Sequence, residues 1–145
     1  MGATEDQLID TLRKQVLSLL YLGAPAWYSQ LTFIEKDDLN RVMKCGLRII
    51  YGETYSGFDW ALKRSRMCSV TDQLAKITER FAVKCSQSEK FKYWFQPNQT
   101  QVNTRSSKNT FIPVPTRTAG YSSSPIPYLT NILNTKHDKK RLCGV

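Results

Sequence analysis

Apolar residues recur at helical spacing in several stretches of this chain, and each stretch is bracketed by residues that start or stop helices. Over residues 4–23, Leu8, Leu12, Val16, Leu19 and Leu20 share one face, as a 3.6-residue turn requires. Thr4 with Gln7 reads as a capping box, and Glu5 and Asp6 suit the positive end of the helix dipole. Ala24-Pro25 interrupts the pattern, because proline disfavours a helical residue before it. Thr32 with Glu35 opens a second helix that ends near Gly52. Its apolar stripe is Leu39, Val42, Met43, Gly46, Leu47 and Ile50, while Arg41, Lys44 and Arg48 recur on another face with Asp37 one turn before Arg41.

Residues 56–64 form a short helix around Phe58, Trp60 and Leu62, and the run Lys63-Arg64-Ser65-Arg66 falls in the connection after it. Ser69 or Thr71 caps the next helix, with the stripe Val70, Leu74, Ile77, Phe81 and Cys85. Ser88 then caps an aromatic turn of Phe91, Trp94 and Phe95, with Lys90 and Lys92 between them. Aromatics beside lysines either stack on bases or form core. After Pro97 the composition turns to Gln, Asn, Ser, Thr and Pro. Phe111-Ile112-Pro113-Val114-Pro115 is an extended segment, excluded from a central strand by prolines that lack donors. Ser124-Pro125 opens one short helix, Tyr128 to Leu133. The fold class is therefore mainly α: a bundle of about four to five helices over residues 4–95, an extended basic segment over 96–134 ending in a short helix, and a disordered tail over 135–145.

Composition changes this picture mainly through charge. Of 145 residues, 21 are Lys or Arg and 12 are Asp or Glu, a formal net charge of +9. Residues 1–95 carry 14 bases and 11 acids, whereas residues 96–145 carry 7 bases and one acid, Asp138. A basic, acid-poor segment attracts polyanions, of which nucleic acid is the commonest inside cells. No apolar run approaches the ~20 residues that span a bilayer. Residues 1–15 hold Glu5, Asp6 and Asp10 and do not read as a signal peptide, so an intracellular protein is expected.

Candidate chemistry is sparse. Cys45, Cys68, Cys85 and Cys143 form no Cys-x-x-Cys pair, and His137 is the one histidine, so no zinc-site spacing is present. No phosphate-binding glycine loop occurs. Asp37-Asp38 is the one adjacent acidic pair, and neighbours on a helix diverge too far to clamp one metal together. The expectation is a chain that is no enzyme on its own, with no metal, no cofactor and no small-molecule substrate.

A resemblance rests on Tyr21-Leu22-Gly23-Ala24-Pro25-Ala26-Trp27, followed by Leu39-Asn40-Arg41-Val42-Met43-Lys44-Cys45-Gly46-Leu47-Arg48-Ile49-Ile50-Tyr51-Gly52. Together these stretches resemble the region after the polymerase domain in non-LTR (LINE-class, jockey-like) retrotransposon reverse transcriptases. Phe81 to Cys85, Lys90-Phe91, Arg117-Thr118 with Tyr121, and Ser124 to Asn134 follow in the order that family has. The family's polymerase chemistry uses an aromatic-x-Asp-Asp motif; here Asp37-Asp38 follows Glu35-Lys36 in a helix and is not that motif. Val42-Met43-Lys44 also stands where the family commonly has a glutamine. The chain thus looks like a detached thumb and C-terminal connector, from a truncated element or a domesticated host gene. The resemblance implies a helical module that grips the backbone of a template–primer duplex.

The candidate nucleic-acid contacts are Arg41, Lys44, Arg48, Lys63, Arg64, Arg66, Lys90, Lys92, Arg105, Lys108 and Arg117. Trp27, Trp60, Trp94 and Tyr121 are candidates for stacking or for an interface. For the basic helix face, an ordinary solvated surface is the competing reading. A helical protein-interaction module, binding a protein partner or a second copy of itself, is the alternative function, and a relic without selected function is a third.

Overall fold

A computed structural model of the chain describes residues 2–99 and 109–142, with side chains up to residue 135. Among the described residues there is no strand, and the fold is mainly helical. The elements are α1 (Glu5–Thr11), a π-helical stretch Leu12–Leu17, α2 (Ser18–Tyr21), α3 (Ala24–Trp27), α4 (Phe33–Tyr51), α5 (Phe58–Ser65), α6 (Val70–Gln87), α7 (Ala119–Ser122) and α8 (Pro125–Leu142). Because α1, the π stretch and α2 are continuous, seven helices result among the described residues. The pattern predicts fewer, since α3 and α7 are single turns too short to carry a period. The chain divides into two compact units: 1–24 with 31–76, and 25–30 with 77–145. That boundary falls inside α6, not after residue 95.

In the first unit, local chemistry sets the ends of the helices. Thr4 and Gln7 form a reciprocal capping box on α1, and Thr32 and Glu35 form one on α4. Gly52 stops α4 at φ 49°, a conformation glycine adopts without steric cost. Ser69 Oγ accepts from the Asp72 amide at 3.1 Å and so caps α6, resolving the choice between Ser69 and Thr71. Thr71 instead bonds the Asn40 side chain, its amide reaching Asn40 Oδ1 at 3.4 Å. The buried apolar residues of this unit include Leu12, Leu17, Met43, Leu47, Tyr51, Ala61, Val70 and Leu74.

Two parts of the expected packing are corrected here. On the first helix, Val16 and Leu19 do not face the core: they are 40% and 71% exposed, and Leu17 is fully buried. The cause is the π stretch, whose wider turn, closed by i→i+5 bonds, places residues five apart on the same face. Leu12 and Leu17 therefore share the core, and a 3.6-residue period cannot describe them. On α4 the buried set is Met43, Leu47 and Tyr51, with Val42 and Cys45 turned outward. Gly46 is where α4 approaches the first helix, since a Cβ built there meets Leu12 Cδ1 at 2.7 Å.

The second unit is built on the latter part of α6, the turn Lys92–Trp94, and α8. Ala82, Cys85, Phe95, Leu129 and Leu133 form its core, with Val83, Trp94 and Phe111 packed against it. The proline-bound segment is extended, as expected, and makes one antiparallel bridge between Pro97 and Phe111. Asn134 fixes it: Oδ1 accepts the Phe111 amide at 2.9 Å and Nδ2 donates to the Phe111 carbonyl at 3.1 Å. Pro125 begins α8, though Ser124 Oγ donates to the Tyr121 carbonyl and does not act as a side-chain cap. The helix does not stop at Leu133; its backbone continues to Leu142, through the first part of the segment expected to be disordered.

Candidate nucleic-acid interface

The expected basic face of α4 is present, but acids on the same helix occupy part of it. Arg41 Nη1 lies 3.1 Å from Asp38 and Lys44 Nζ lies 3.6 Å from Asp37. Lys44 also sits over the Phe58 ring at 5.3 Å, and Arg48 over the Tyr55 ring at 5.6 Å. Such exposed pairs contribute roughly 0–1 kcal/mol each, so a phosphate can displace them. Asp37 and Asp38 diverge to different cations, as helix geometry requires.

A denser arrangement lies at the end of α5. Lys63-Arg64-Ser65-Arg66 is not a connection: α5 runs through Ser65, and Arg66 terminates it in the left-handed conformation, φ 52° and ψ 41°. The Met67 amide reaches back to the Leu62 carbonyl at 3.0 Å and the Arg66 amide to the Lys63 carbonyl at 3.3 Å, which is the Schellman closure. Glycine is the usual residue at that position, and Arg66 is the one non-glycine residue with positive φ among those described. A bulky side chain in this region costs roughly 1–2 kcal/mol. Strain of this kind is retained where the side chain is needed.

Arg64 is fixed from two sides. Its Nε and Nη2 donate to the two carboxylate oxygens of Glu5 at 3.3 and 3.1 Å, and its guanidinium lies over the Tyr51 and Trp60 rings at 5.6 and 5.4 Å. The Nη1 hydrogens remain available, because a guanidinium carries five N–H donors. Arg64 and Arg66, with Ser65, line a cleft of about 550 Å³ whose other wall is Asp6, Ile9, Asp10 and Arg13. These four residues stand at i, i+3, i+4 and i+7 on the first helix, one stripe of its surface. Three arginines therefore line one cleft. Asp10 is held by Lys14 at 2.6 Å.

Behind Arg64 lies a buried tyrosine. Tyr51 is only 4% exposed, with its hydroxyl enclosed beside the Ser65 side chain. Burial pushes its phenol up, with Glu5 and Asp6 adding to the shift, while Arg64 and a hydrogen bond with the Ser65 side chain oppose it. The phenol is thus a protonated donor at neutral pH. Ser65 Oγ donates to the Leu62 carbonyl at 3.2 Å.

The remaining expected residues are dispersed. Trp60 packs edge-on against Tyr51 at 5.3 Å and under Arg64, so its face is not open to a base. In the second unit, Trp94 packs on the core with Phe91 at 4.9 Å and Tyr93 at 6.0 Å, so its core reading prevails over stacking. Lys92 pairs with Glu89 at 2.8 Å. Lys90, Arg117 and Tyr121 are exposed, and Trp27 is half-buried. Arg105 and Lys108 lie outside the described residues, as does Cys143.

Arg13 was not among the residues singled out from the sequence. Its signal is there, in the Asp6, Asp10, Arg13 spacing, but only its meeting with Arg66 gives that stripe a meaning. Among the described residues no three His, Cys, Asp or Glu are placed to hold a metal ion, and no helix is long and apolar enough to cross a membrane. Comparison with protein-family models, with curated proteins and with solved structures finds no match to this chain.

Proposed function

We propose that this chain is a non-catalytic nucleic-acid-binding module that engages the phosphate backbone without reading sequence. The observation that carries the reading is the convergence of Arg13, Arg64 and Arg66 on one cleft, with Arg66 held where glycine would be less strained. Lys63 on the last turn of α5 and the basic face of α4 extend the positive surface. The net charge of +9 supplies long-range attraction. The similarity to a retrotransposon reverse-transcriptase thumb and connector supports the same reading by analogy, since such a segment would hold a template–primer backbone.

The test is the salt dependence of binding to a labelled duplex. For about six phosphate contacts the slope of log K against log salt is near −5. Replacing Arg13, Lys63 and Arg66 by glutamine should reduce its magnitude by about 3, and replacing Arg41, Lys44 and Arg48 should reduce it less. Salt-independent affinity, or no binding at low salt, removes the proposal.

A second reading is a helical protein-interaction module. It is favoured by the apolar side chains that the first unit leaves in solvent, among them Leu22, Phe33, Ile34 and Ile49. Concentration-dependent association in sedimentation, abolished by Phe33→Ser with Ile34→Ser, would support self-binding. A monomer at all concentrations excludes the self-association form of this reading.

A further inference from the structure

Helix α4 is apolar on two faces. Met43, Leu47 and Tyr51 enter the core, while Ile34, Val42 and Ile49 on the opposite side are 73%, 42% and 80% exposed, with the exposed Cys45 among them. These four, with the exposed pair Asp38 and Arg41, follow i, i+4, i+7, i+8, i+11 and i+15. At ~100° per residue they occupy about 100° of arc. A surface helix of a globular unit carries charged and polar residues on that side. A second apolar stripe, running about 22 Å along the helix, has the form of a seam between helices.

The spacing and the charges specify which helix fits the seam. A second α4 laid antiparallel, with Ile34 opposite the partner's Ile49, sets Asp38 opposite the partner's Cys45 and Arg41 opposite the partner's Val42. Every stripe position then meets another stripe position, as a two-fold, isologous interface requires. Charge selects the direction. Asp37 and Asp38 lie in the first half of α4, whereas Arg41, Lys44 and Arg48 follow them. Antiparallel pairing therefore sets acids against bases, with Asp38 one turn from the partner's Arg41, and parallel pairing sets like against like. The two-fold axis stands perpendicular to such a pair. Lys44 and Arg48 border the stripe on one side, so those of both copies come out on the same side and form one basic band.

We propose that the outer face of α4 is a self-association surface on which a second copy of this chain packs antiparallel, in the Ile34-to-Ile49 register. The proposal rests on the self-association form of the second reading and gives it a face, a direction and a register. A single helix pair is at the low end of specific interfaces in area, so the dimer is weak and forms at micromolar concentration or above.

The test is sedimentation equilibrium of the full chain from micromolar to millimolar concentration, with the mass rising toward twice that of the monomer. Ile49→Glu places a carboxylate opposite the acidic end of the partner's helix. It should weaken association about a hundredfold, since each dimer loses the contact twice. Ile49 is exposed, so the variant keeps its helical circular dichroism. Cysteine trapping reads the register with every apolar side chain of the stripe intact. In a chain with Cys68→Ser and Cys143→Ser, Asp38→Cys should give a covalent dimer under oxidised glutathione, and peptide mapping should join position 38 to Cys45. Within one chain these positions are ~10 Å apart along the helix, too far for a disulfide. A dimer joined through two copies of Cys45 shows parallel packing and overturns the proposal, as does the absence of any covalent dimer. Association that Ile49→Glu leaves intact also overturns it, while the self-association reading survives on another face. A chain that stays monomeric throughout overturns both.

Discussion

Replacing Gly46 by alanine sets two effects of opposite sign against each other. In the interior of a 19-residue helix such as α4, glycine to alanine is favourable by about 1 kcal/mol, through backbone entropy alone. The new Cβ, however, would stand 2.7 Å from Leu12 Cδ1 and 3.1 Å from Leu12 Cδ2. Leu12 is itself buried, 7% exposed, so its side chain has little room to retreat, and overpacking of this kind costs about 1–3 kcal/mol. The net expectation is a loss of about 0–2 kcal/mol, or a midpoint lowered by a few degrees at about 2–4 °C per kcal/mol. The decisive measurement is a double-mutant cycle followed by urea denaturation. Leu12→Ala costs about 2–5 kcal/mol by itself, but it removes the atoms that Gly46→Ala strikes. In that background Gly46→Ala should become stabilising by about 1 kcal/mol. A stabilising Gly46→Ala in the wild-type background would refute the close approach, and with it the placement of the π stretch that carries Arg13 into the cleft.

Thr32→Ala removes the α4 capping box and should cost about 1 kcal/mol at neutral pH. The backbone and side-chain bonds from Thr32 hold the Glu35 carboxyl below its ordinary range. A depressed folded-state pKa stabilises above the unfolded value and is lost as pH falls through the folded one. The cost of Thr32→Ala should therefore shrink in acid, and an NMR titration should show Glu35 returning toward its ordinary value; an unmoved Glu35 would refute the bond. Asn134→Ala should cost about 2–4 kcal/mol, since it leaves both polar groups of the Phe111 backbone without their partner; a loss under about 0.5 kcal/mol in urea denaturation would show the clamp to be idle. Cys85 is buried and its thiol is pushed up by that burial, while Cys45 and Cys68 are exposed. Alkylation mapped by mass spectrometry should modify Cys45 and Cys68 in the native chain and Cys85 only after unfolding; early modification of Cys85 would contradict the second unit's core.

Much of the helical framework was legible because it is written locally. Thr4, Thr32, Gly52 and Pro125 act within a turn of themselves, so their residue types and spacing suffice. The stripes of α4 and α6 were legible only in part: on α6 Val70, Leu74 and Cys85 are buried as expected, but Phe81 is 38% exposed, and Thr78 and Ala82 take the buried positions one residue on from Ile77 and Phe81. What failed was whatever depended on a departure from the local rule. The π stretch puts Leu12 and Leu17 together and turns Val16 away, and no residue type announces a turn of that width. The candidate site fails to show for a related reason. Arg13 and Arg66 are 53 positions apart, so no window of sequence contains both. Arg66 also occupies a left-handed helix end with a residue that argues against it, so a sequence rule extends the basic run into a loop. That mismatch is the informative one. Where a helix end is closed by glycine, nothing follows except that the chain turns; where arginine holds the same conformation, the local cost needs an offset from elsewhere. Arg66→Gly separates the two terms, because it relieves the backbone and deletes the guanidinium at once. If the cleft binds phosphate, that variant is more stable by about 1 kcal/mol and binds a nucleic-acid duplex more weakly. If it gains stability and keeps its affinity, Arg66 contributes nothing to binding and the cleft loses its clearest mark of function.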